Sequence, residues 1–221
     1  MKPHIQAFVF DAYGTLFDVY SVFEELEKIF PKKGQQISET WRQKQIEYSF
    51  LREMMGRYRP FSGVTRDALR FACEQAGEEL NNEIEDKLLQ RYLELDIYPE
   101  VTEVLSQLSA KRKAIFSNGS PDMLNPLVVK YQLDEVLDSI ITVDDKKRFK
   151  PVPASYTSVL ENLSVKRDEV LFMSSNPWDI AGAKSFGFNT AWINRAGKVM
   201  DKLGLDPDYE YGSLEGILEH I

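Results

Sequence analysis

Cysteine is nearly absent from this chain, and so is any excess of base. Cys73 is the single cysteine, so no intrachain disulfide can form and a thiolate metal site is excluded. That usage fits a reducing compartment. Asp and Glu number 35 against 27 Lys and Arg, a net charge of −8. The basic stripe of a nucleic-acid binder is therefore missing. A small anionic substrate stays open, because a local site can oppose the global charge. No stretch approaches the roughly 20 apolar residues of a membrane span. Met1-Lys2-Pro3-His4 does not begin a secretory signal. A soluble, cytoplasmic protein is expected, and internal repeats and low-complexity tracts are lacking as well.

What the chain does have is a sizeable apolar complement. With 221 residues and 43% hydrophobic content, it can build one large domain, or a core with a smaller insertion. Ile5 to Phe10 reads as a strand apolar enough to be covered on both faces of a parallel sheet. From about 20 to 96 the periodicity is helical: Val22, Phe23, Leu26 and Ile29, then Trp41, Gln45 and Tyr48, then Leu69, Phe71, Ala72 and Ala76, with a further helix over 82–95. Beyond Tyr98-Pro99, helices over 101–108, 123–131, 154–163 and 179–186 alternate with strands over 114–116, 139–143, 170–173 and 190–193. Strands alternating with helices predict an α/β fold with a doubly wound parallel sheet. The helical block becomes an inserted cap, expected over 19–96, with the core over 1–18 and 97–221.

In such sheets ligands bind at the carboxyl ends of the strands. This rule gathers Asp11, Ser117-Asn118, Lys150 and Ser174 to Asp179. Each has an ordinary structural reading. Asp11 can be a turn former, Gly14 a positive-φ position and Thr15 a helix-cap hydroxyl. Ser120 can cap a helix that starts at Pro121, and Asn176 one that starts at Pro177, with Asp179 a favourable acid in its first turn. Lys150 precedes Pro151 and has Lys146, Lys147 and Arg148 for company, as a solvated charge would. The conjunction is less ordinary: a carboxylate, a hydroxyl and amide, a lysine and a second carboxylate arrive in order at successive strand ends.

In that order the chain resembles the haloacid dehalogenase superfamily. Asp11-Ala12-Tyr13-Gly14-Thr15, Ser117, Lys150 and Asp179 match its four motifs, and the resemblance spans essentially the whole chain, cap included. It implies a Rossmann-like haloacid dehalogenase core. Most of the superfamily are magnesium-dependent phosphatases with an acid two residues after the nucleophile and extra acids in the last motif. Here position 13 is tyrosine, and Ser174-Ser175-Asn176-Pro177-Trp178-Asp179 contains one acid. Magnesium prefers hard oxygen ligands, usually including carboxylates, so no metal and no other cofactor are expected. Chemistry without a metal or a general acid needs a leaving group that departs as a stable anion. A halide on a small 2-haloacid meets that need.

The resemblance then narrows to the L-2-haloacid dehalogenases, through residues 11–18, Trp41-Arg42-Gln43-Lys44-Gln45 to Tyr48, residues 117–121, residues 174–179 and Trp192-Ile193-Asn194-Arg195. Arg42 alone would read as a surface arginine on an amphipathic helix; the resemblance implies that it reaches the active site from the cap. The mechanism implied is a two-step displacement. Asp11 attacks the α-carbon, Lys150 keeps it ionised and Thr15 holds it. Arg42 and Asn118 receive the halide, with Phe61 or Trp178 nearby. Ser117 and the backbone N–H groups after Asp11 (Ala12, Tyr13) bind the substrate carboxylate. Asp179, positioned with Ser174 and Asn176, is the expected base for ester hydrolysis. Tyr156 is expected to orient Lys150, and Tyr13, Ile46 and Phe61 to exclude water. The expected partners are the haloacid and a halide ion, without nucleic acid or membrane, in a homodimer. The alternatives are a magnesium-dependent phosphatase-like hydrolase of the same superfamily and a catalytically silent binding protein on this fold.

Overall fold

A computed structural model describes residues 4–108 and 111–221; residues 1–3 and 109–110, which the expected core includes, lie outside the described residues. The first strand, β1 (Ala7–Phe10), is buried along its whole length. It pairs in parallel with β4 (Arg112–Ser117) on one side and β6 (Val170–Ser174) on the other. That placement explains its unbroken apolar run, since helices cover both faces of such a strand. Outward from β4 lies β5 (Ser139–Thr142); outward from β6 lie β7 (Asn189–Ile193) and β8 (Tyr209–Tyr211). The sheet is six-stranded in the order β5-β4-β1-β6-β7-β8, and its pairings are all parallel.

The order reverses at β1, because the chain builds β4 and β5 on one side before returning to build β6 and β7 on the other. Such a switch point opens a crevice at the carboxyl ends of the strands. Register then aligns the polar ends. Phe10 pairs with Ile115 and with Met173, and the Asp11 N–H donates to the Met173 carbonyl at 2.8 Å. Asp11, Ser117 and Ser174 therefore leave the sheet within one or two residues of a common level.

Between β2 (Phe17–Asp18) and β3 (Asp96–Ile97) lie four helices: α1 (Phe23–Ile29), α2 (Gly34–Met54), α3 (Phe61–Gln75) and α4 (Asn82–Tyr92). Every fourth residue of α2 from Ile37 is buried: Ile37, Trp41, Gln45 and Ser49. This stripe faces inward, as helical periodicity requires. Gln45 is fully buried and fully used: it donates to Thr65 Oγ1 at 3.0 Å and accepts from the Tyr92 hydroxyl at 3.0 Å. With Trp41 Nε1 on the Thr65 carbonyl at 2.8 Å, these bonds tie α2, α3 and α4 together; buried polar groups are tolerable only when satisfied in this way.

The helices on the core are α5 (Val101–Gln107), α6 (Pro121–Lys130), α7 (Pro153–Leu163) and α8 (Pro177–Phe186). Several short elements, among them β2, β3 and β8, were not expected from the sequence. β2 and β3 form a two-residue antiparallel ribbon, too short to carry a periodic signal. β8 has only the alternation Tyr209-Glu210-Tyr211, and a short 3-10 helix follows over Leu214–His220. Edge strands carry weak patterns because one side needs no apolar partner.

The helix caps that Ser120 and Asn176 could have supplied are not made. Both residues occupy the N-cap position without a side-chain cap bond. The Ser120 hydroxyl accepts instead from the Ser62 N–H at 3.2 Å, joining α3 to the core. The Asn176 amide is committed to the strand-end cluster below.

Candidate active site

Asp11 is 4% exposed, and four side chains donate to it. Its Oδ2 accepts from Thr15 Oγ1 at 3.1 Å, Ser174 Oγ at 3.2 Å and Asn176 Nδ2 at 2.8 Å. Its Oδ1 accepts only from Lys150 Nζ, at 3.0 Å. The two oxygens are thus unequal: Oδ2 is saturated with donors, while Oδ1 keeps a free lone pair. The turn that follows makes this possible. Gly14 has φ +88°, and the Ala12 carbonyl accepts from the N–H groups of Thr15, Leu16 and Phe17, which folds Thr15 back over the carboxylate. The Thr15 hydroxyl also accepts from the Ser175 N–H at 2.9 Å, so its proton is directed at Asp11.

Lys150 is fully buried, not the solvated charge its neighbours suggested. Its three N–H bonds go to Asp11, to Asp179 Oδ2 at 2.6 Å and to the Phe116 carbonyl at 3.1 Å. Burial alone would lower its pKa; Asp11 and Asp179 outweigh that and hold it above the ordinary lysine value. Asp179 is also fully buried, and burial pushes its carboxyl up to about 6 against the pull of Lys150. Its other oxygen, Oδ1, accepts from the Tyr156 hydroxyl at 2.7 Å. Between the two carboxylates, then, stands an ammonium. Among the described residues no three His, Cys, Asp or Glu side chains gather as a metal site.

Beside Asp11 lies a cavity of about 20 Å³, lined by Tyr13, Arg42, Phe61, Asn118, Trp178 and others. That is room for about one water, so a larger ligand needs the walls to part. Arg42 crosses from α2 and donates to the Tyr13 carbonyl at 3.2 Å and to Asn176 Oδ1 at 3.2 Å. Asn176 is therefore a two-sided spacer, with its oxygen on Arg42 and its nitrogen on Asp11. Asn118 gives its oxygen to the Lys150 N–H at 2.8 Å, which leaves its NH₂ group as the donor for the cavity. Ser117 is buried in the cavity wall and accepts from the Gly119 N–H at 3.0 Å. Gly119 is required there: a Cβ would stand 2.6 Å from the Tyr13 ring. The Tyr13 hydroxyl and Trp178 Nε1 are buried without a partner among the described residues. Burial, the largest influence, drives the Tyr13 phenol well above its usual value, so at neutral pH it is a neutral group.

The structure brings Asp11, Tyr13, Arg42, Ile46, Phe61, Ser117, Asn118, Asn176 and Trp178 to one cavity wall. Thr15, Ser174, Lys150 and Asp179 stand behind Asp11. Two expectations need correction. Tyr156 touches neither Lys150 nor the cavity; its hydroxyl is on Asp179, and its ring packs among Phe116, Phe172, Phe186 and Phe188. Ser174 and Asn176 serve Asp11 rather than Asp179, because the end of β6 abuts β1. The Ala12 side chain is buried in the hydrophobic core, which leaves the backbone as the part of this residue that a ligand can meet.

Two contributors were missed. Ser49 lines the cavity; the four-residue step from Gln45 along α2 was the available signal. Arg195 donates to the carbonyls of Thr15 at 3.0 Å and Gly14 at 3.4 Å, and to Ser175 Oγ at 3.2 Å. It braces the turn after Asp11 from outside; the sequence marked it only as the end of the matching stretch Trp192-Ile193-Asn194-Arg195, with no role.

Comparison with known proteins shows what the whole chain is similar to. Residues 5–187 match the family model described as haloacid dehalogenase-like hydrolase. The chain is 48% identical over 191 residues, 86% of its length and 76% of the relative's, to an (S)-2-haloacid dehalogenase of Xanthobacter autotrophicus. It is 41% identical over 218 residues, 98% of its length and 94% of the relative's, to an (S)-2-haloacid dehalogenase of Pseudomonas sp. strain YL. Its structure resembles an L-2-haloacid dehalogenase from Xanthobacter autotrophicus with chloropropionic acid covalently bound, at TM-score 0.94 and 39% identity over 97% of both chains. A likeness that runs through core and cap alike leaves one conclusion about ancestry: the chain belongs to the haloacid dehalogenase-like hydrolases.

Proposed function

We propose that the protein is an (S)-2-haloacid dehalogenase that hydrolyses short 2-haloalkanoic acids to (R)-2-hydroxy acids without a metal. The observation that carries this reading is the unequal carboxylate of Asp11, saturated at Oδ2 and open at Oδ1. In the first step Oδ1 attacks the α-carbon from the side opposite the halogen. The carbon–halogen bond breaks, its electron pair leaves with the halide, and an ester forms on Asp11. Arg42 and the Asn118 NH₂ group receive the halide beside the Phe61 and Trp178 rings. Ser117 and the backbone N–H groups at Ala12 and Tyr13 take the substrate carboxylate. The buried Tyr13 phenol holds its proton tightly and is a poor acid, and a halide, a weak base, needs no proton to depart.

In the second step water adds to the Asp11 carbonyl carbon, not to the α-carbon. Oδ2 becomes the oxyanion, and Thr15, Ser174 and Asn176 already aim their donors at it. Preorganised donors of this kind are usually a leading contribution to catalysis. Asp179 is the base. It takes the water's proton on a lone pair that its bonds to Lys150 and Tyr156 leave free, while Lys150 stays an ammonium between the two carboxyl groups. Collapse breaks the bond between the Asp11 carbonyl carbon and the product's oxygen. The departing alkoxide takes the proton held by Asp179, the proton of the added hydroxyl passes to solvent, and Asp11 is restored as a carboxylate with one solvent oxygen in it. The α-carbon is inverted once.

The phosphatase alternative asks for an acid at position 13 and extra acids in the last motif; Tyr13 stands at the first place, and residues 174–179 hold one acid, Asp179. The proposal keeps the core over 1–18 and 97–221, the cap over 19–96, a homodimeric assembly and a cytoplasmic location. No helix among the described residues is long and apolar enough to cross a membrane.

The test is halide release from the separate enantiomers of 2-chloropropanoate with excess EDTA. Release from the (S) form alone, giving (R)-hydroxy acid at a rate indifferent to EDTA, is expected. Equal release from both forms, or loss with EDTA, defeats the reading. Tyr156→Phe supplies a pH test. The Tyr156 hydrogen bond lowers the Asp179 pKa, and a bond to a charged acceptor is worth roughly 1.5–3 kcal/mol, or about one pH unit or more. Turnover should lose its acid limb near pH 6 in the wild type and about one unit higher in Tyr156→Phe, measured as kcat against pH.

A further inference from the structure

The reaction cavity shares a wall with a second pocket of about 190 Å³, bounded by Gly14, Arg42, Asn176, Arg195 and Lys198 among others. Arg42 and Asn176 belong to both, and Arg42 is the only charged group that does. Arg42 is half-buried, and among the described residues it has no carboxylate partner. Its contacts are the Tyr13 carbonyl, the Asn176 amide oxygen and the Tyr92 hydroxyl, all neutral. A partly buried guanidinium without a counter-charge is costly, and an anion on either face of it relieves that cost.

The outer pocket supplies a second cation for such an anion. Lys198 is exposed, and among the described residues its ammonium makes no ion pair. Arg195 is different: Glu100 neutralises it at 2.6 Å, and it stacks on Tyr98 at 3.8 Å, so it shapes the pocket rather than charging it. Glu39 shares the adjoining surface groove with Lys198, which keeps any anion held there weakly bound, as suits a place of departure. The chemistry also demands a departure. The halide is released while the organic part is still tethered to Asp11, in a cavity with room for about one water. The path that keeps the halide beside a cation leads past Arg42.

We propose that the pocket of Arg42, Asn176 and Lys198 is a secondary halide site through which the departed ion leaves. The proposal rests on the displacement chemistry above for the source of its halide, but its test does not need turnover.

Bromide is titrated against the resting protein at constant ionic strength, reading tryptophan fluorescence. Trp192 reports on the pocket, since its indole N–H donates at 3.3 Å to the carbonyl of Ser175 in the pocket wall. Lys198→Glu is compared with Lys166→Glu, which makes the same change of charge just before β6, at the opposite end of the strands. Lys198→Glu should weaken bromide binding about fivefold, the scale of reversing one exposed charge near a bound ion at low salt, and Lys166→Glu should leave it unchanged. Equal bromide affinity in the two variants overturns the site. A parallel titration with 2-hydroxypropanoate separates the sources of an anion: if Lys198→Glu weakens the carboxylate and spares bromide, the pocket is an entry for organic acids and the halide assignment falls. If wild type dehalogenates no 2-haloacid yet bromide binding still depends on Lys198, the halide site stands and the proposed reaction fails.

Discussion

Asp11→Asn is expected to lower halide release by at least about 10⁴-fold, the scale on which enzymes lose rate when a nucleophile is removed. The nucleophile is gone, but the geometry adds a second reason. Four donors converge on the carboxylate, three on Oδ2 and one on Oδ1. An amide has only one oxygen. If the amide of the variant turns its NH₂ group toward Lys150, two donors face each other; if it turns the NH₂ group the other way, it faces Thr15, Ser174 and Asn176. Either orientation leaves buried donors without an acceptor, at about 1–3 kcal/mol each. The variant should therefore lose stability as well as activity, and thermal unfolding separates the two. Intact-protein mass after rapid quench supplies the positive counterpart: wild type should carry one acyl adduct, localised to the peptide containing Asp11. An adduct elsewhere, or appreciable halide release by folded Asp11→Asn, would show that another group attacks.

Lys150→Met is expected to be inactive and to lose about 3–5 kcal/mol of stability above neutral pH, as when one partner of a buried ion pair is removed. The lysine is fully buried and separates two buried carboxylates; without it they repel one another. The loss should depend on pH, with a definite sign. The Asp179 carboxyl is raised from 3.8 to about 6 in the folded wild type. A group raised on folding contributes stability that is complete below its unfolded pKa and is lost as pH rises through the folded value. For wild type that window runs from about pH 4 to pH 6. Lys150 is the main influence holding the Asp179 pKa down against burial, so its removal moves the upper edge of the window to higher pH. Lys150→Met should then be least deficient near about pH 4 to 5, where Asp179 is protonated in both proteins, and most deficient near about pH 8. Urea unfolding at a series of pH values measures this, and a deficit that does not vary with pH would mean that Lys150 acts by filling space alone.

These two expectations rest on residues that the sequence and the fold disclosed unequally. Asp11 was visible because an apolar run, Phe8-Val9-Phe10, ends on it, and a strand buried on both faces allows no other pattern. Tyr13 was equally plain, since the identity of the residue two places after the nucleophile needs no coordinates. Lys150 was visible only as a position; its local company of Lys146, Lys147 and Arg148 argued for a solvated charge. Its burial follows from β4, whose Phe116 carbonyl and ring meet it, and from Asp11, 139 residues away along the chain.

What the sequence by itself determined is the longer helices and the buried strands, their alternation and the polar residues placed at the strand ends. Those features arise from local periodicity and from the chemistry of single positions. Only the tertiary structure decided who meets whom: that Ser174 and Asn176 serve Asp11, that Tyr156 stands behind Asp179, that Arg42 crosses from the cap to hold Asn176, and that the two oxygens of Asp11 differ. Each of these depends on the register and order of strands that are neighbours in the sheet but far apart in the chain. A one-residue slip between β1 and β6 would give the Asp11 oxygens different donors while leaving every local pattern in the sequence intact.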